Sequence, residues 1–176
     1  MFLLFCTNNR KLVCYNNSIE IDEEVKRLKF IHTADWHLGK LVHGIYMTED
    51  QRYLLNQLIG IIDEEKPDAV IIAGDLYDRS IPPTDAVELL DEVLFKINVE
   101  LTTLILAIAG NHDSAERLSF GSSWYQHSHF YLAGKLSQRI EPINMGGVNF
   151  YLVPYAEPGM VRQWLDEDSI HTHQDA

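Results

Sequence analysis

The chain has 176 residues, of which 46% are hydrophobic and 23% are charged, a composition typical of one globular domain that can bury a real core. Its 26 acidic and 14 basic residues give a formal net charge of −12, which argues against a broad basic surface that binds nucleic acid through many phosphate contacts. An enzyme that acts on nucleic acid is not excluded, because bound cations can supply positive charge at the reacting phosphate.

Cysteine content and hydrophobic runs indicate the compartment. Cys6 and Cys14 are the only cysteines, too few for a disulfide framework in a chain of this size, so a reducing compartment fits best. The apolar opening at residues 1–6 lacks the preceding basic region and the small-residue cleavage site of a secretion signal. No run approaches the ~18 apolar residues of a membrane span. We therefore predict a soluble cytoplasmic protein with no membrane partner.

Residues 1–27 show no clean hydrophobic period and include the charged stretch 20–27. We expect a poorly packed leader there, with room for a short strand or helix. After it, apolar runs at residues 29–34, 69–73 and 104–109 predict three strands, and the last two are expected to be buried on both faces. Regular structure is thus expected from residue 29 onward.

Two amphipathic helices are predicted between these strands. Thr48 and Gln51 match a capping box that opens the first helix, which stops before Pro67. Pro82 and Pro83 introduce the second helix. The alternation of strands and helices implies a parallel sheet with right-handed crossovers, in which ligands bind beyond the carboxyl ends of the strands. The inward side chains of the two helices are expected to be Leu55, Leu58, Ile59, Ile62, Ala86, Leu89, Leu90, Val93 and Ile97.

The pattern changes after residue 113. Shorter strands are expected at residues 130–132, 138–143 and 148–154, separated by glycines. We interpret them as the beginning of a second sheet. A short acidic helix is predicted at residues 160–168.

Each of the three predicted strands is followed directly by polar side chains that can bind divalent metals. Asp35 and His37 follow the first strand, Asp75 the second and Asn111 the third. Taken singly, an Asp or a Gly-Asn pair after a strand is more often ordinary turn chemistry. Together, carboxylate, imidazole and amide donors at one sheet edge suit a pair of ions such as Mn²⁺, Fe²⁺ or Zn²⁺ better than Mg²⁺ alone. With His112 able to donate or accept a proton, the three motifs predict a two-metal phosphoester hydrolase.

The motifs read DWHLG at residues 35–39, GDLYD at 74–78 and GNHD at 110–113. They resemble the calcineurin-like metallophosphoesterases and, within that family, the SbcD branch of bacterial exonuclease subunits, from about Leu28 to the end of the chain. The resemblance implies an α/β fold, a layered αββα sandwich whose first sheet is mostly parallel.

The resemblance also implies a metal site with two ions. Asp35 and His37 would bind one ion, Asn111 would bind the other, and Asp75 would bridge them. Members of the family use Mn²⁺ most readily, and Mg²⁺, Fe²⁺ and Zn²⁺ are the alternatives. His112 would stabilise the transition state or protonate the leaving oxygen.

The function implied is that of a DNA nuclease subunit, a double-strand exonuclease and hairpin or single-strand endonuclease in repair and recombination. Asp78 is similar to the acid that orients the catalytic histidine in related phosphatases. The implied partners are DNA, an ATPase subunit of the SbcC type and a second copy of the chain. Two alternatives remain, namely a phosphodiesterase or phosphatase acting on small molecules and a non-catalytic folded half-domain.

One departure from the family's pattern concerns the later metal ligands. The family carries a Gly-His and then a Gly-His-x-His that complete both metal shells, and neither occurs in this sequence. His127, His129, His171 and His173 do not follow glycine after a buried strand, so we interpret them as surface histidines. Residues 28–176 are therefore expected to be the N-terminal portion of a metallophosphoesterase nuclease domain, truncated before its second sheet is complete, with weak or no turnover.

The start of the chain is the second departure. Relatives typically begin at the first strand, and residues 28–32 resemble such a start. We therefore expect residues 1–27 to be a leader foreign to the family, an upstream extension from a misplaced start codon. Sequencing the N terminus of the native protein tests this expectation, since finding Met1 or Phe2 there would reject it.

Overall fold

The computed structural model of the protein describes residues 4–7, 28–137 and 139–175. Within these ranges the strands are β1 (Leu4–Thr7), β2 (Lys29–Thr33), β3 (Leu41–Val42), β4 (Ile45–Tyr46), β5 (Ala69–Ala73), β6 (Leu104–Ile108), β7 (Phe130–Ala133), β8 (Ile143–Met145) and β9 (Val148–Phe150).

Five of these strands form one sheet in the order β1-β2-β5-β6-β7. β1 pairs antiparallel with β2, whereas β2, β5, β6 and β7 run parallel to one another. The mostly parallel sheet predicted from the alternation of strands and helices is thus confirmed. β1 lies within the segment expected as a leader, and residues 1–3 and 8–27 of that segment lie outside the described residues.

Continuous apolar sequence explains why the central strands are buried on both faces. In the pairing register, Ile31 of β2 lies opposite Val70 of β5, which lies opposite Ile105 of β6, and all three side chains are fully buried. Burial of one such side chain contributes ~1.5–3 kcal/mol. A one-residue slip would exchange the two faces of a strand, so burial fixes the register.

The predicted helices are present and pack with the sheet into one hydrophobic cluster. All the predicted inward side chains of the first two helices are buried except Ile59, which is partly buried. None of the described helices is long and apolar enough to cross a bilayer. The helices are α1 (Thr48–Glu65), α2 (Thr84–Phe95), α3 (Ala115–Leu118), α4 (Ser122–Tyr125) and α5 (Pro158–Leu165), with a π-helical turn (Lys96–Glu100) after α2 and a 3-10 turn (Gln126–Ser128) after α4.

The capping box predicted at the start of α1 is wrong. Met47 is the N-cap residue, and no side chain caps the helix. The Thr48 hydroxyl instead donates to Asp85 Oδ2 at 2.7 Å, which ties α1 to α2. The carboxamide of Gln51 binds the main chain of the loop that follows β2. The two residues are used for tertiary contacts, which a local pattern cannot distinguish from a cap.

The segment after residue 113 also differs from the prediction. β7 joins the main sheet parallel to β6 and does not begin a second sheet. The strands expected at 138–143 and 148–154 are shorter and form an antiparallel hairpin, β8–β9, which turns at Gly146 and Gly147. Both glycines have positive φ, as a two-residue hairpin turn requires. α5 begins at Pro158, because proline suits the first turn of a helix.

Candidate metal centre

The loops after β2 and β5 run side by side beyond the edge of the sheet. The Asp35 N–H donates to the Gly74 carbonyl at 3.2 Å, and the His37 N–H donates to the Asp75 carbonyl at 2.9 Å. Parallel pairing of the two strands therefore continues into the loops. It carries the first two motifs to the same point on the carboxyl edge, where ligands bind in open parallel sheets.

The loop after β6 approaches the same point at Gly110. A Cβ on Gly110 would lie 2.1 Å from Asp75 Oδ1 and 2.3 Å from Asp75 N, so only glycine permits this approach. Two residues further on, the His112 N–H donates to Asp75 Oδ1 at 2.9 Å. Asp75, which is only 7% exposed, is thus in contact with both neighbouring loops.

His37, Asp75 and His112 form the cluster that could hold a metal. Each presents one ligand atom, and these atoms lie within 4.8 Å of one another. His37 Nε2 is 3.7 Å from Asp75 Oδ2, and the two imidazole rings meet edge to face with centroids 4.7 Å apart. Two imidazoles and a carboxylate suit Mn²⁺, Fe²⁺ or Zn²⁺. The donor set therefore fits a divalent transition metal.

Asp78 contacts both histidines of the cluster, with different groups. Its main-chain carbonyl lies 2.9 Å from His112 Nδ1, and since a carbonyl only accepts, this ring nitrogen carries the proton. Its carboxylate Oδ1 lies 3.5 Å from His37 Nδ1, a buried nitrogen with no hydrogen-bond partner among the described residues. The expected contact between Asp78 and His112 thus runs through the main chain.

Asp35 and Asn111, the other two predicted ligands, lie in the same loops as the cluster. Asp35 directly precedes Trp36 and His37, and Asn111 stands between Gly110 and His112. Both side chains are exposed. Within the described ranges neither side chain makes a hydrogen bond or an ion pair, so their role as ligands stays a prediction.

The backbone of these loops adopts conformations that side chains rarely favour. Asp35, His37 and Asp75 have φ angles of 56°, 46° and 49°. A non-glycine residue in a sparsely populated region costs of order 1 kcal/mol, and persists where surrounding contacts hold it. Three of the candidate ligands thus have this strain, which five other non-glycine residues of the described ranges share.

Asp113 is a residue that the sequence reasoning missed as part of the centre. Its carboxylate accepts the N–H groups of Leu76, Tyr77 and Gly110 at 3.1, 2.9 and 2.9 Å, which joins the second loop to the third. Burial raises the pKa of this carboxyl, although the three N–H groups act in the opposite direction. The signal available in the sequence was an Asp three residues after glycine in a turn, since Asp often accepts from nearby main chain.

The four histidines interpreted as surface residues are exposed. His171 contacts the Arg162 guanidinium, and His173 lies 3.7 Å from a Glu157 carboxylate oxygen. None of the four belongs to the metal-competent cluster found among the described residues. They are His127, His129, His171 and His173.

A mostly parallel sheet that gathers two histidines and a carboxylate at its carboxyl edge is an α/β fold with a candidate metal-binding site. The family model for calcineurin-like phosphoesterases matches residues 28–175. The chain therefore belongs to the calcineurin-like phosphoesterase family, and its fold is the αββα sandwich class predicted from the motifs. Hydrolysis of phosphoesters with divalent metals is the activity that this family implies.

Gly110→Ala should destabilise the protein by about 1–3 kcal/mol, because the added Cβ collides with Asp75. Gly60→Ala is the matched control. Gly60 lies in α1, where an added Cβ would meet no neighbouring side chain or element within 4 Å, so alanine there should stabilise the helix by about 0.5–1 kcal/mol. Urea unfolding measures both changes, and an unchanged midpoint for Gly110→Ala would contradict the close approach of the loops.

Tyr77 should ionise late in an alkaline titration. Burial raises its pKa to about 12, and the Asp113 and Asp91 carboxylates add to the shift. The folded-state pKa lies above the ordinary value of 10.0. Ionisation of Tyr77 should therefore leave the free energy of unfolding unchanged below pH 10.0 and lower it as the pH rises toward 12.

Ultraviolet absorbance of the phenolate measures this titration. Tyr77→Phe should remove the late step, whereas Tyr53→Phe, at a side chain that is 65% exposed, should leave that step in place. A late step that persists in Tyr77→Phe would mean that another tyrosine is responsible.

Proposed function

We propose that residues 28–176 are the N-terminal portion of the catalytic domain of an SbcD-type nuclease subunit, which hydrolyses DNA phosphodiester bonds by a two-metal mechanism. The observation that carries the proposal is the convergence of His37 and Asp75, the proposed metal ligands, with His112, the proposed acid, since one donor atom of each lies within 4.8 Å of the others. All three belong to the motifs that resemble the SbcD branch. The activities proposed are double-strand exonuclease and hairpin or single-strand endonuclease cleavage in DNA repair and recombination.

In the proposed centre Asp35, His37, Asp75 and Asn111 would hold two Mn²⁺ ions, with Asp75 as the ligand common to both. Asp75 suits this role because one oxygen accepts the His112 N–H while the other faces His37. When bound, the cations would supply positive charge at the phosphate and lower the pKa of the attacking water. Mg²⁺, Fe²⁺ and Zn²⁺ are the alternative ions.

His112 is the proposed general acid. In its imidazolium form, Nδ1–H stays bonded to the Asp78 carbonyl at 2.9 Å while Nε2–H is available to the substrate. Transfer of that proton to the leaving sugar oxygen avoids the release of an unstable alkoxide. Asp78 thus fixes the orientation of the ring, which makes it a positioning residue.

The proposed partners are DNA, an ATPase subunit of the SbcC type and a second copy of the chain, in the cytoplasm. The net charge of −12 favours contact with DNA that is confined to the region of the cations. Turnover by the chain as given is proposed to be weak, because the later Gly-His and Gly-His-x-His ligands of the family do not occur in it.

The same acidic balance is also compatible with a second candidate, a phosphodiesterase or phosphatase that acts on small molecules. Hairpin DNA and a nitrophenyl phosphodiester, each incubated with the protein and Mn²⁺, separate the two. Cleavage of the DNA supports the nuclease. Cleavage of the small diester without cleavage of DNA supports the second candidate, and Mn²⁺ binding without either activity supports a non-catalytic half-domain.

Asp75→Asn should abolish stabilisation by Mn²⁺. A ligand that binds only the folded state stabilises it by about 2.7 kcal/mol when its concentration is 100 times its Kd. Mn²⁺ should therefore raise the Tm of the wild-type protein. Asn keeps an oxygen that can accept the His112 N–H but loses the bridging charge. Thermal unfolding with and without Mn²⁺ measures the effect.

Asp63→Asn is the matched control, because Asp63 is exposed on α1 and its one ion pair among the described residues is with Lys66 at 3.3 Å. It should keep the whole Mn²⁺-dependent rise in Tm. Equal stabilisation of Asp75→Asn and the wild-type protein would mean that the ion binds elsewhere.

A further inference from the structure

The geometry points to Gln51 as a positioning residue that sets the metal affinity of the centre from helix α1. The inference rests on the proposed function, since it takes His37 as a metal ligand. The Gln51 carboxamide bonds three main-chain groups of the loop after β2. Its Nε2 donates to the Trp36 carbonyl at 3.0 Å and to the His37 carbonyl at 2.7 Å, and its Oε1 accepts the Gly39 N–H at 3.1 Å.

The loop needs these bonds because of its backbone conformation. Asp35 and His37 are both left-handed without being glycine, and each costs of order 1 kcal/mol. The N–H groups of these two residues bond to the loop after β5, whereas the carbonyls of Trp36 and His37 accept from Gln51. The loop is thus held by hydrogen bonds on both sides, and release of one side would let the His37 ring shift away from Asp75.

Gln51 is itself held firmly, so it can impose a position on the loop. Its N–H donates to the Met47 carbonyl at 2.9 Å in the first turn of α1. In the same turn, the buried Thr48 hydroxyl donates to Asp85 of α2 at 2.7 Å. The far end of the loop is enclosed as well, since a Cβ on Gly39 would lie 2.7 Å from Pro83 Cδ.

Only a carboxamide of this length supplies what the loop uses, two N–H donors and one oxygen acceptor. Gln51→Glu keeps the shape of the side chain but replaces both donors with a carboxylate oxygen that faces two carbonyls. The added negative charge alone would attract a nearby cation and tighten metal binding. Loss of the positioning contacts predicts the opposite, weaker binding. The sign of the change therefore separates the two effects.

The test is the Kd for Mn²⁺, measured by calorimetric titration of the whole chain. Gln51→Glu should raise the Kd about 10- to 100-fold, the range typical of residues that orient metal ligands. Gln57→Glu makes the same chemical change at an exposed site on the same helix and should leave the Kd unchanged. Ile62→Val removes one buried methylene from α1, lowers stability by ~0.5–1.5 kcal/mol, and should also leave the Kd unchanged.

Binding by Gln51→Glu as tight as that of the wild-type protein, or tighter, would overturn the inference, as would an equal loss of affinity in Ile62→Val. Hydrogen exchange of the Gly39 amide in metal-free protein gives a reading that needs no ion. Exchange should be faster in Gln51→Glu and unchanged in Gln57→Glu, and unchanged exchange in Gln51→Glu would overturn the inference. A wild-type protein that binds no Mn²⁺ would overturn the proposed function and this inference with it.

Discussion

The contact of Asp75 with the loops on both sides determines the rest of the centre. Its carbonyl accepts the His37 N–H from one loop, and its carboxylate accepts the His112 N–H from the other. The second contact exists because Gly110 leaves no side chain between the loops. Any Cβ there would push the third loop outward, and His112 would leave the cluster. Backbone hydrogen bonds, more than side-chain packing, therefore bring two histidines to one carboxylate.

This arrangement places unusual backbone where the candidate ligands lie, and the surrounding contacts offset its cost. Asp113 joins the second and third loops through three main-chain N–H groups, and Gln51 joins the first loop to α1 through three main-chain groups. The net contribution of one hydrogen bond to protein stability is about 0.5–1.5 kcal/mol, and that of a hydrogen bond to a charged group is about 1.5–3 kcal/mol. Each set can therefore balance strain of order 1 kcal/mol at a left-handed residue.

The parallel strands, the inward faces of α1 and α2 and the position of the motifs could all be predicted from the sequence, because each follows from a local period or from strand-end topology. The roles of Gln51 and Asp113 could not. A Thr-x-x-Gln pattern matches a cap equally well, and only the tertiary fold brings the loop within reach of Gln51. Likewise, the addition of β7 to the main sheet depends on pairing with β6, which a short strand does not reveal by its own sequence.

Because main-chain groups make many of the contacts between the loops, side-chain atoms of the candidate ligands remain free to bind a metal. Asp75 Oδ1 accepts the His112 N–H, and Oδ2 faces His37. His112 Nδ1 is bonded to the Asp78 carbonyl, which leaves its Nε2 free for the proposed proton transfer. The Asp35 and Asn111 side chains make no hydrogen bond with any other described residue. The loops are held by main-chain groups and by the side chains of Asp113 and Gln51, which are not candidate ligands. Holding the loops therefore leaves the candidate ligand atoms free.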